Sequence, residues 1–340
     1  MRTAPASVRA WLMVVAAMIF FMIVIGALTR LTESGLSMVE WRPVTGWLPP
    51  LSDAAWQAEL QKYSSSPQGR LINRGFTVAE FQQIFWLEFV HRLWGRLIGL
   101  VFALPLAWFW LSGRLTPWLK PRLLALLVLG GLQGALGWAM VASGLVDRPS
   151  VSHYRLAAHL LLAVVLYAYT VWLILELGPQ AARREAPGLR RAATALIAFL
   201  LVVMTWGALM AGLRAGTAHT TFPTMSGYWI PPDLFGLEPW WINPFENPTT
   251  IQFVHRWLAK LLGLGILVMA LGARRPEAWA AGAMAVVQIG LGVATILTGV
   301  DVAIATMHQA GAVILLTLLI VVRHRALPSP AGAASAMIVR

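Results

Sequence analysis

The stretch EFVHRLWGRLIGL at residues 88–100 places a glutamate, a histidine and two arginines at the start of a long apolar run. A related stretch, QFVHRWLAKLLGL, occupies residues 252–264, and seven of the thirteen positions are identical in the two. The histidine and the first arginine recur at the same places, whereas Glu88 is replaced by Gln252. The chain therefore contains an internal repeat that places an imidazole in apolar sequence twice.

The composition around these stretches is that of a membrane protein. Apolar residues make up 58% of the chain and charged residues 12%, with a mean hydropathy of +0.69, which excludes a water-soluble globule. An apolar helix needs about 20 residues to cross a bilayer. Suitable stretches lie at 10–29, 84–111, 122–143, 152–175, 192–213, 251–271, 277–299 and 302–322. We interpret the first as a retained helix and not as a signal sequence, because no small-residue cleavage site follows it.

The repeat extends over several of these predicted helices. GALTRLTESG at 26–35 matches GALMAGLRAG at 207–216, and QGALG at 133–137 matches QIGLG at 288–292. Helices 1–4 thus correspond to helices 5–8, and an even number of spans per half makes the halves a parallel repeat. We predict an all-α integral membrane protein with eight transmembrane helices in two pseudo-symmetric four-helix bundles. The predicted domains are residues 1–176 and 192–325, followed by a tail at 326–340.

Charge predicts the orientation, because Lys and Arg accumulate in cytoplasmic loops. Arginines dominate both termini and the loops near 112–121, 176–191 and 272–276, whereas the opposite loops hold most of the acids. Both termini are therefore expected inside. The net charge of +12 follows from this bias, so we expect no nucleic-acid partner. The absence of cysteine excludes disulfides and thiolate ligands and leaves histidines and carboxylates for metal binding.

Four histidines recur in the repeat, one pair in each half, and each is expected within about 5–12 Å of the outer end of its helix. They are His91, His159, His255 and His308. A single intramembrane histidine can be a hydrogen-bonded packing residue, but four at matching depth favour ligation, since ionisable groups in lipid are costly. Two imidazoles without a third ligand suit the axial positions of a haem better than tetrahedral zinc. We expect one haem per bundle, both near the outer face, which disfavours electron transfer straight across the membrane.

The remaining histidines and the outer loops are less informative. His153, His219 and His324 have no counterpart in the repeat and are interpreted as loop residues. The outer loops at 30–82 and 214–250 are long for membrane connections, and such loops commonly act as lids or docking surfaces.

Several of these motifs resemble those of the haem A synthase family, in its cysteine-free branch shared by proteobacteria and mitochondria. They are GALTRLTESGLSMVEWRPVTGWLPPLS at 26–52, IFWLEFVHRLWGRLIG at 84–99, HYRLAAHL, FVHRWLAKLLG and MHQ, and the similarity covers about residues 10–322. The resemblance implies an enzyme that oxidises the methyl group of haem O to the formyl group of haem A by successive hydroxylations, for cytochrome oxidase.

The resemblance also implies a division of labour between the halves. The C-terminal half would keep haem b on His255 and His308, while the N-terminal half would hold the reacting haem O or haem A on His91 and His159. It further implies a bacterial inner membrane location. The expected partners are haem O, membrane lipid, an unidentified electron donor and, as candidates, haem O synthase and cytochrome oxidase assembly factors.

Glu88 is the candidate catalytic residue. It lies three residues before His91 and therefore shares its helical face. A carboxylate can take up a proton or stabilise positive charge on a substrate carbon, and the amide of Gln252 cannot. Because Gln252 occupies the equivalent position, we expect Gln at position 88 to be compatible with folding. The alternatives are that Glu88 caps the helix start or pairs with Arg92 or Arg96.

Arg92 and Arg256 follow the repeated histidines directly. We predict that they pair with haem propionates, which need cationic partners when desolvated. The alternative is anchoring at the membrane interface, together with Trp94 and Trp257.

Two other functions are compatible with paired intramembrane histidines. The first is a b-type cytochrome that passes electrons to an outer-face partner without altering its haem. The second is a transporter whose histidines bind haem or another small molecule transiently.

Overall fold

The computed structural model describes residues 5–42, 45–144, 149–179 and 183–328. Over these residues the chain is all-helical, with no β-strand beyond one isolated bridge between Met225 and Tyr228. The helices are α1 (Ala6–Leu31), α2 (Asp53–Ser64), α3 (Pro67–Leu71), α4 (Val78–Leu111), α5 (Lys120–Gly144), α6 (His153–Glu176), α7 (Pro187–Gly212), α8 (Asn243–Glu246), α9 (Pro248–Ala273), α10 (Pro276–Leu297) and α11 (Val302–Arg325).

Eight of these helices in the described ranges are long and apolar enough to cross a membrane. They are α1, α4, α5, α6, α7, α9, α10 and α11. This confirms the prediction of an all-α integral membrane protein with eight spans. The pseudo-symmetry of two bundles and the division of the chain into 1–176, 192–325 and 326–340 stay predictions, and the tail from 329 onward lies outside the described residues.

Helix α4 begins earlier than its apolar stretch. Thr77 and Glu80 form a capping box, in which the Thr77 hydroxyl accepts from the Glu80 backbone and the Glu80 carboxylate accepts from the Thr77 backbone. The helix therefore starts at Val78 instead of residue 84. At 1.5 Å per residue, His91 lies about 20 Å from this end, so the expected 5–12 Å was wrong for this histidine. His255 lies about 10 Å from the start of α9.

The extra turns of α4 support a cap over the first half. Five aromatic residues from α2 and the start of α4 form a separate buried cluster in this cap: Trp56, Tyr63, Phe81, Phe85 and Phe89. Their burial holds α2, which lies in the long first loop, against the start of α4, and α3 contacts α2. This loop is therefore a folded element attached to the helix that carries Glu88 and His91.

The halves contact each other through α1 and α6 on one side and α7 and α11 on the other. The largest buried apolar cluster draws residues from both halves, including Ile23 and Tyr167 from the first and Val203 and Leu316 from the second. Tyr167 also shares a hydrogen bond with Thr317 at 2.9 Å. The halves therefore share one apolar core across their boundary.

The two halves pack differently at one repeated helix crossing. A Cβ on Gly263 of α9 would lie 2.5 Å from Ile289 Cδ1 of α10. The equivalent residues are Gly99 and Gly134, and a Cβ on either would meet no atom within 4 Å. Accordingly, 6% of the residues in the most apolar stretch of α5 are buried, whereas 28% of those in the corresponding stretch of α10 are buried. Because the first half has Gly134 where the second half has Ile289, α5 packs more loosely on α4 than α10 packs on α9.

Two of the histidines interpreted as loop residues lie in helices. His153 is the first residue of α6 and is buried. His324 lies near the end of α11, where Arg183 donates to its Nε2 at 2.6 Å and to Glu176 at 2.7 Å. The interpretation was wrong for these two because the absence of a repeat counterpart carries no information about burial. His219 lies in a loop, as expected.

Candidate functional site

Each of the four repeated histidines lies against a glycine of a neighbouring helix. A Cβ on that glycine would lie between 2.9 and 3.7 Å from the imidazole ring. The pairs are Gly26 with His91, Gly137 with His159, Gly207 with His255, and Gly292 with His308. A methyl group at the closer distances would press on the ring, so the missing side chain is what admits the imidazole. The repeat thus preserves both the histidines and the space around them.

The separation of the two imidazole rings in the second half can be compared with that of two histidines bound to one metal ion. The ring centres of His255 and His308 are 6.5 Å apart, with the ring planes at 83°. Two imidazoles on opposite sides of one metal, each nitrogen about 2 Å from it, place their ring centres roughly 6 Å apart. His255 Nδ1 lies 3.2 Å from the Val203 carbonyl, to which only an N–H can donate. This bond leaves Nε2 as the nitrogen with a free lone pair, as an axial ligand requires.

The pair in the first half occupies the equivalent place on α4 and α6. His91 and His159 are close enough for the charge of one ring to act on the other. The amide nitrogen of Gln133 in α5 lies 3.2 Å from both ring nitrogens of His159. The structure thus brings together the two histidines that the sequence paired.

The donor set around these pairs is restricted to imidazoles. The described residues contain no group of three or more histidines, cysteines or acids placed to hold a metal ion. A structural zinc site takes four such ligands. Two facing imidazoles beside glycines therefore fit the axial ligation of a haem and do not fit a zinc or dinuclear site.

Glu88 fastens the first outer loop to α4. It is 2% exposed, and its Oε2 accepts hydrogen bonds from Ser37 Oγ at 2.7 Å and from the Met38 backbone N–H at 2.8 Å. Its Oε1 forms an ion pair with Arg92, one turn further along the helix. Of the alternatives to catalysis, the pairing with Arg92 is therefore present, and the helix-start role is not, because α4 begins ten residues earlier.

Gln252 also binds the second outer loop, but it donates hydrogen bonds to this loop, whereas Glu88 accepts hydrogen bonds from the first. It is fully buried, and its amide nitrogen donates to the carbonyls of Gly216 at 3.2 Å and His219 at 3.0 Å. The first loop presents donors to position 88, and the second presents acceptors to position 252. The change from glutamate to glutamine in the repeat thus matches the groups that each loop offers.

The two repeated arginines also hold the loops. Arg92 donates to the carbonyls of Met38 at 2.8 Å and Glu40 at 2.9 Å, and it lies 5.2 Å from the centre of the Trp41 ring. Arg256 donates to the carbonyls of His219 at 2.9 Å and Thr221 at 3.0 Å. Each guanidinium therefore ties one outer loop to the helix that carries the neighbouring histidine.

His219 connects the second loop to α9 through its ring as well. Its Nδ1 lies 2.9 Å from Ser226 Oγ and its Nε2 lies 3.2 Å from Thr249 Oγ1, which donates to Asp233 at 2.7 Å. Burial lowers the pKa of His219, an effect that the charge of Arg256 increases and that of Asp233 opposes. The neutral imidazole is therefore favoured in the folded loop.

Two glutamines contact the site that the sequence interpretation did not assign to it. Gln133 and Gln288 each bind a histidine of the pair in their half. The signal was visible, because both open the repeated segments QGALG and QIGLG. In the sequence these segments mark the duplication and do not show which side chain each glutamine contacts.

Together, the fold and the site define an all-α multi-pass membrane protein with one pair of intramembrane histidines in each half. Comparisons with known proteins place it more narrowly. The family described as "Cytochrome oxidase assembly protein" matches residues 9–320. The protein named Heme A synthase from Rhodospirillum centenum is 48% identical over 94% of this chain and 88% of its own. The Heme A synthases of Paramagnetospirillum magneticum and Bradyrhizobium sp. (strain BTAi1) are 44% and 46% identical, over 94% and 95% of this chain and 94% and 92% of theirs. The chain belongs to the haem A synthase family.

Proposed function

We propose that this protein is a membrane haem enzyme that oxidises the methyl group of haem O to the formyl group of haem A, by successive hydroxylations, for cytochrome oxidase. The family membership over nearly the whole chain supports this reaction. The observation in the structure that carries it is the presence of two equivalent pairs of histidines, each set against glycines.

The second half is proposed to hold the resident haem b through His255 and His308. Their 6.5 Å ring separation and the bond from His255 to the Val203 carbonyl suit two axial ligands. When bound, haem b supplies one-electron transfer. The tight packing of α9 on α10 at Gly263 and Ile289 is consistent with a permanently held group.

The first half is proposed to hold the substrate, haem O, through His91 and His159. The loose packing of α5, with open space at Gly134, is consistent with a ligand that must enter and leave. Glu88 and Arg92 hold the first outer loop over this half, and this loop would exclude water from the reacting methyl group. A direct role of the Glu88 carboxylate as a proton acceptor stays a prediction.

Haem propionates are proposed to bind the arginine N–H groups that make no hydrogen bond to the loops. Arg256 is 8% exposed, and its Nε–H has no hydrogen-bond partner within the described part of the chain. A haem propionate at this N–H would form a charge-assisted bond. Arg92 is expected to act in the same way in the first half, in addition to its bonds to the loop.

The charge distribution supports an orientation with both termini in the cytoplasm of a bacterial cell and the histidine pairs towards the outer face of the inner membrane. An electron donor that is not identified by this chain would act as partner. Haem O synthase and cytochrome oxidase assembly factors are further candidate partners.

Separating the two histidine pairs tests the proposal. In the protein purified from cells that make haem O, His255→Ala or His308→Ala should deplete haem b in pyridine haemochrome spectra. His91→Ala or His159→Ala should spare most of the haem b and abolish haem A, because each half supplies its own ligands. His324→Gln, a change to a histidine that lies 16 residues beyond His308 on α11 and belongs to neither pair, is the matched control and should retain both signals.

Two results would contradict the proposal. Loss of haem b from His91→Ala that is as complete as that from His308→Ala would show that the halves are wrongly assigned. Wild-type protein that holds haem b but forms no haem A from supplied haem O would remove the enzymatic function and favour the cytochrome.

A further inference from the structure

In each pair, one histidine contacts a glutamine of the helix that precedes it in the chain. In the second half, the amide nitrogen of Gln288 in α10 lies 2.8 Å from the His308 carbonyl and 3.2 Å from His308 Nδ1. In the first half, the amide nitrogen of Gln133 in α5 lies 3.1 Å from the His159 carbonyl and 3.2 Å from its Nδ1. The contacts with the carbonyl and with Nδ1 therefore recur in both halves, and Gln133 in addition lies 3.2 Å from His159 Nε2.

A glycine one turn further along each helix completes the arrangement. A Cβ on Gly137 would lie 3.3 Å from His159 Cε1, and one on Gly292 would lie 2.9 Å from His308 Cε1. The ring is thus confined between an amide and a glycine four residues apart on one helix. The other histidine of the second half, His255, is held differently, by the Val203 carbonyl.

The amides have an unused acceptor. The Oε1 atoms of Gln133 and Gln288 are buried and have no hydrogen-bond partner among the residues that the structure describes. A buried carbonyl oxygen without a partner is costly, so a partner in the functional state is expected.

Axial ligation creates the donor that this oxygen lacks. A histidine that ligates iron through Nε2 carries its proton on Nδ1, and the partner of this N–H sets the ring orientation and the basicity of the ligand. The nearest polar side chain to His308 Nδ1 is the amide of Gln288. Rotation of the amide would present Oε1 to the N–H. The bond given up at the His308 carbonyl is additional to the one that this carbonyl accepts within the helix.

We propose that Gln133 and Gln288 are positioning residues, one in each half, whose amide oxygens accept the Nδ1–H of His159 and His308 and so set these imidazoles for axial ligation of haem. The assignment of a substrate haem to His159 and of haem b to His308 rests on the proposed function. The glutamine contacts with the histidine carbonyl and Nδ1 are present in both halves.

The test uses Gln288→Leu and Gln288→Glu in the full-length protein. Gln288→Leu removes the acceptor and should weaken haem b retention about 10- to 100-fold, the usual effect of losing such a partner, and should change the low-spin signal in electron paramagnetic resonance. Gln288→Glu keeps an acceptor for Nδ1–H but sets a carboxylate beside the His308 carbonyl, so it should lower haem b content; the haem b that remains should have a midpoint potential below that of the wild type, because a stronger acceptor makes the ligand more basic. Gln133→Leu should leave the haem b signal unchanged and lower haem A formation.

Gln309→Leu is the matched control. Gln309 follows His308 directly, but its amide donates to the Ile23 carbonyl of α1 at 3.0 Å and not to the imidazole. It should leave haem b affinity and signal unchanged. The proposal is overturned if Gln288→Leu, at wild-type protein levels, shows wild-type haem b affinity, signal and potential, or if Gln309→Leu reproduces its effects. The haem b readout does not depend on catalysis, so a wild-type protein that made no haem A would refute the proposed reaction and not the role of Gln288.

Discussion

Replacing Glu88 by glutamine copies the residue that the repeat places at position 252, yet the structure predicts that it will release the first outer loop. The carboxylate accepts from Ser37 and Met38 and pairs with Arg92. An amide keeps one acceptor oxygen and turns an N–H towards groups that are themselves donors. The expectation from the sequence alone, that glutamine at position 88 is compatible with the fold, is therefore replaced by this prediction.

The size of the effect follows from the burial of the ion pair. The side chains of Glu88 and Arg92 are 2% and 9% exposed, so the variant leaves a buried guanidinium without its counter-charge. Removal of one partner of a buried ion pair costs about 3–5 kcal/mol. At about 1.4 kcal/mol per tenfold change, opening of the loop should become roughly 10²- to 10⁴-fold more frequent.

Hydrogen–deuterium exchange with mass spectrometry can measure this opening in a peptide covering residues 36–42. The Met38 amide should exchange faster in Glu88→Gln, in step with a fall in haem A formation. The reverse change, Gln252→Glu, is the matched control. It places a carboxylate against the carbonyls of Gly216 and His219 and should open the second loop only. Unchanged exchange at residues 36–42 in Glu88→Gln would refute the role of Glu88 in holding the loop, and loss of haem A with the loop still protected would favour a direct catalytic role.

Three further predictions follow from the packing, the loops and the charges. Gly263→Ala should be less stable in detergent than Gly99→Ala, because both gain about 1 kcal/mol of helix propensity and only the Cβ at 263, which would lie 2.5 Å from Ile289 Cδ1, must displace a side chain; equal stabilities would contradict the packing difference. Lowering the pH below the ordinary His pKa of 6.5 should loosen residues 219–226, because the lowered pKa of His219 makes the folded loop bind fewer protons than the unfolded one. The measurement is the amide protection factor, corrected for the intrinsic pH dependence of exchange, and a protection factor that still falls with pH in His219→Gln would exclude this histidine as the cause. Reporter fusions after residues 116 and 274 should report cytoplasm and those near 60 and 235 the outside, and an inverted pattern would overturn the orientation.

The sequence was sufficient for the membrane helices and for the choice of the four repeated histidines, because both depend on patterns that the chain repeats; the role of these histidines as haem ligands stays a prediction. Hydropathy alone located all eight spans, and the two copies of the FVHR motif led to the pairs. The predicted start of α4 differs from the observed one because Glu80, Gln82 and Gln83 interrupt the apolar sequence there and weaken the hydropathy signal. The capping box of Thr77 and Glu80 was a readable signal for the true start.

The roles of Glu88 and Gln252 could not be derived from the sequence. They depend on whether the loop backbone turns its N–H groups or its carbonyls towards the helix, and residue type does not determine this direction. Met38 presents an N–H to Glu88, whereas Gly216 presents a carbonyl to Gln252. The glutamines beside His159 and His308 were missed for a related reason, since a polar residue in an apolar helix does not reveal its partner.

The central claim is that the two halves hold different haems: the first half converts haem O to haem A, and the second half keeps haem b. It is tested most directly by extracting the haems from wild-type and His159→Ala protein after incubation with haem O, a reductant and air, and separating them by liquid chromatography with mass detection. The account predicts haem b in both samples and haem A in the wild type alone. Haem A formation by His159→Ala at the wild-type level, or haem b missing from His159→Ala, would contradict it.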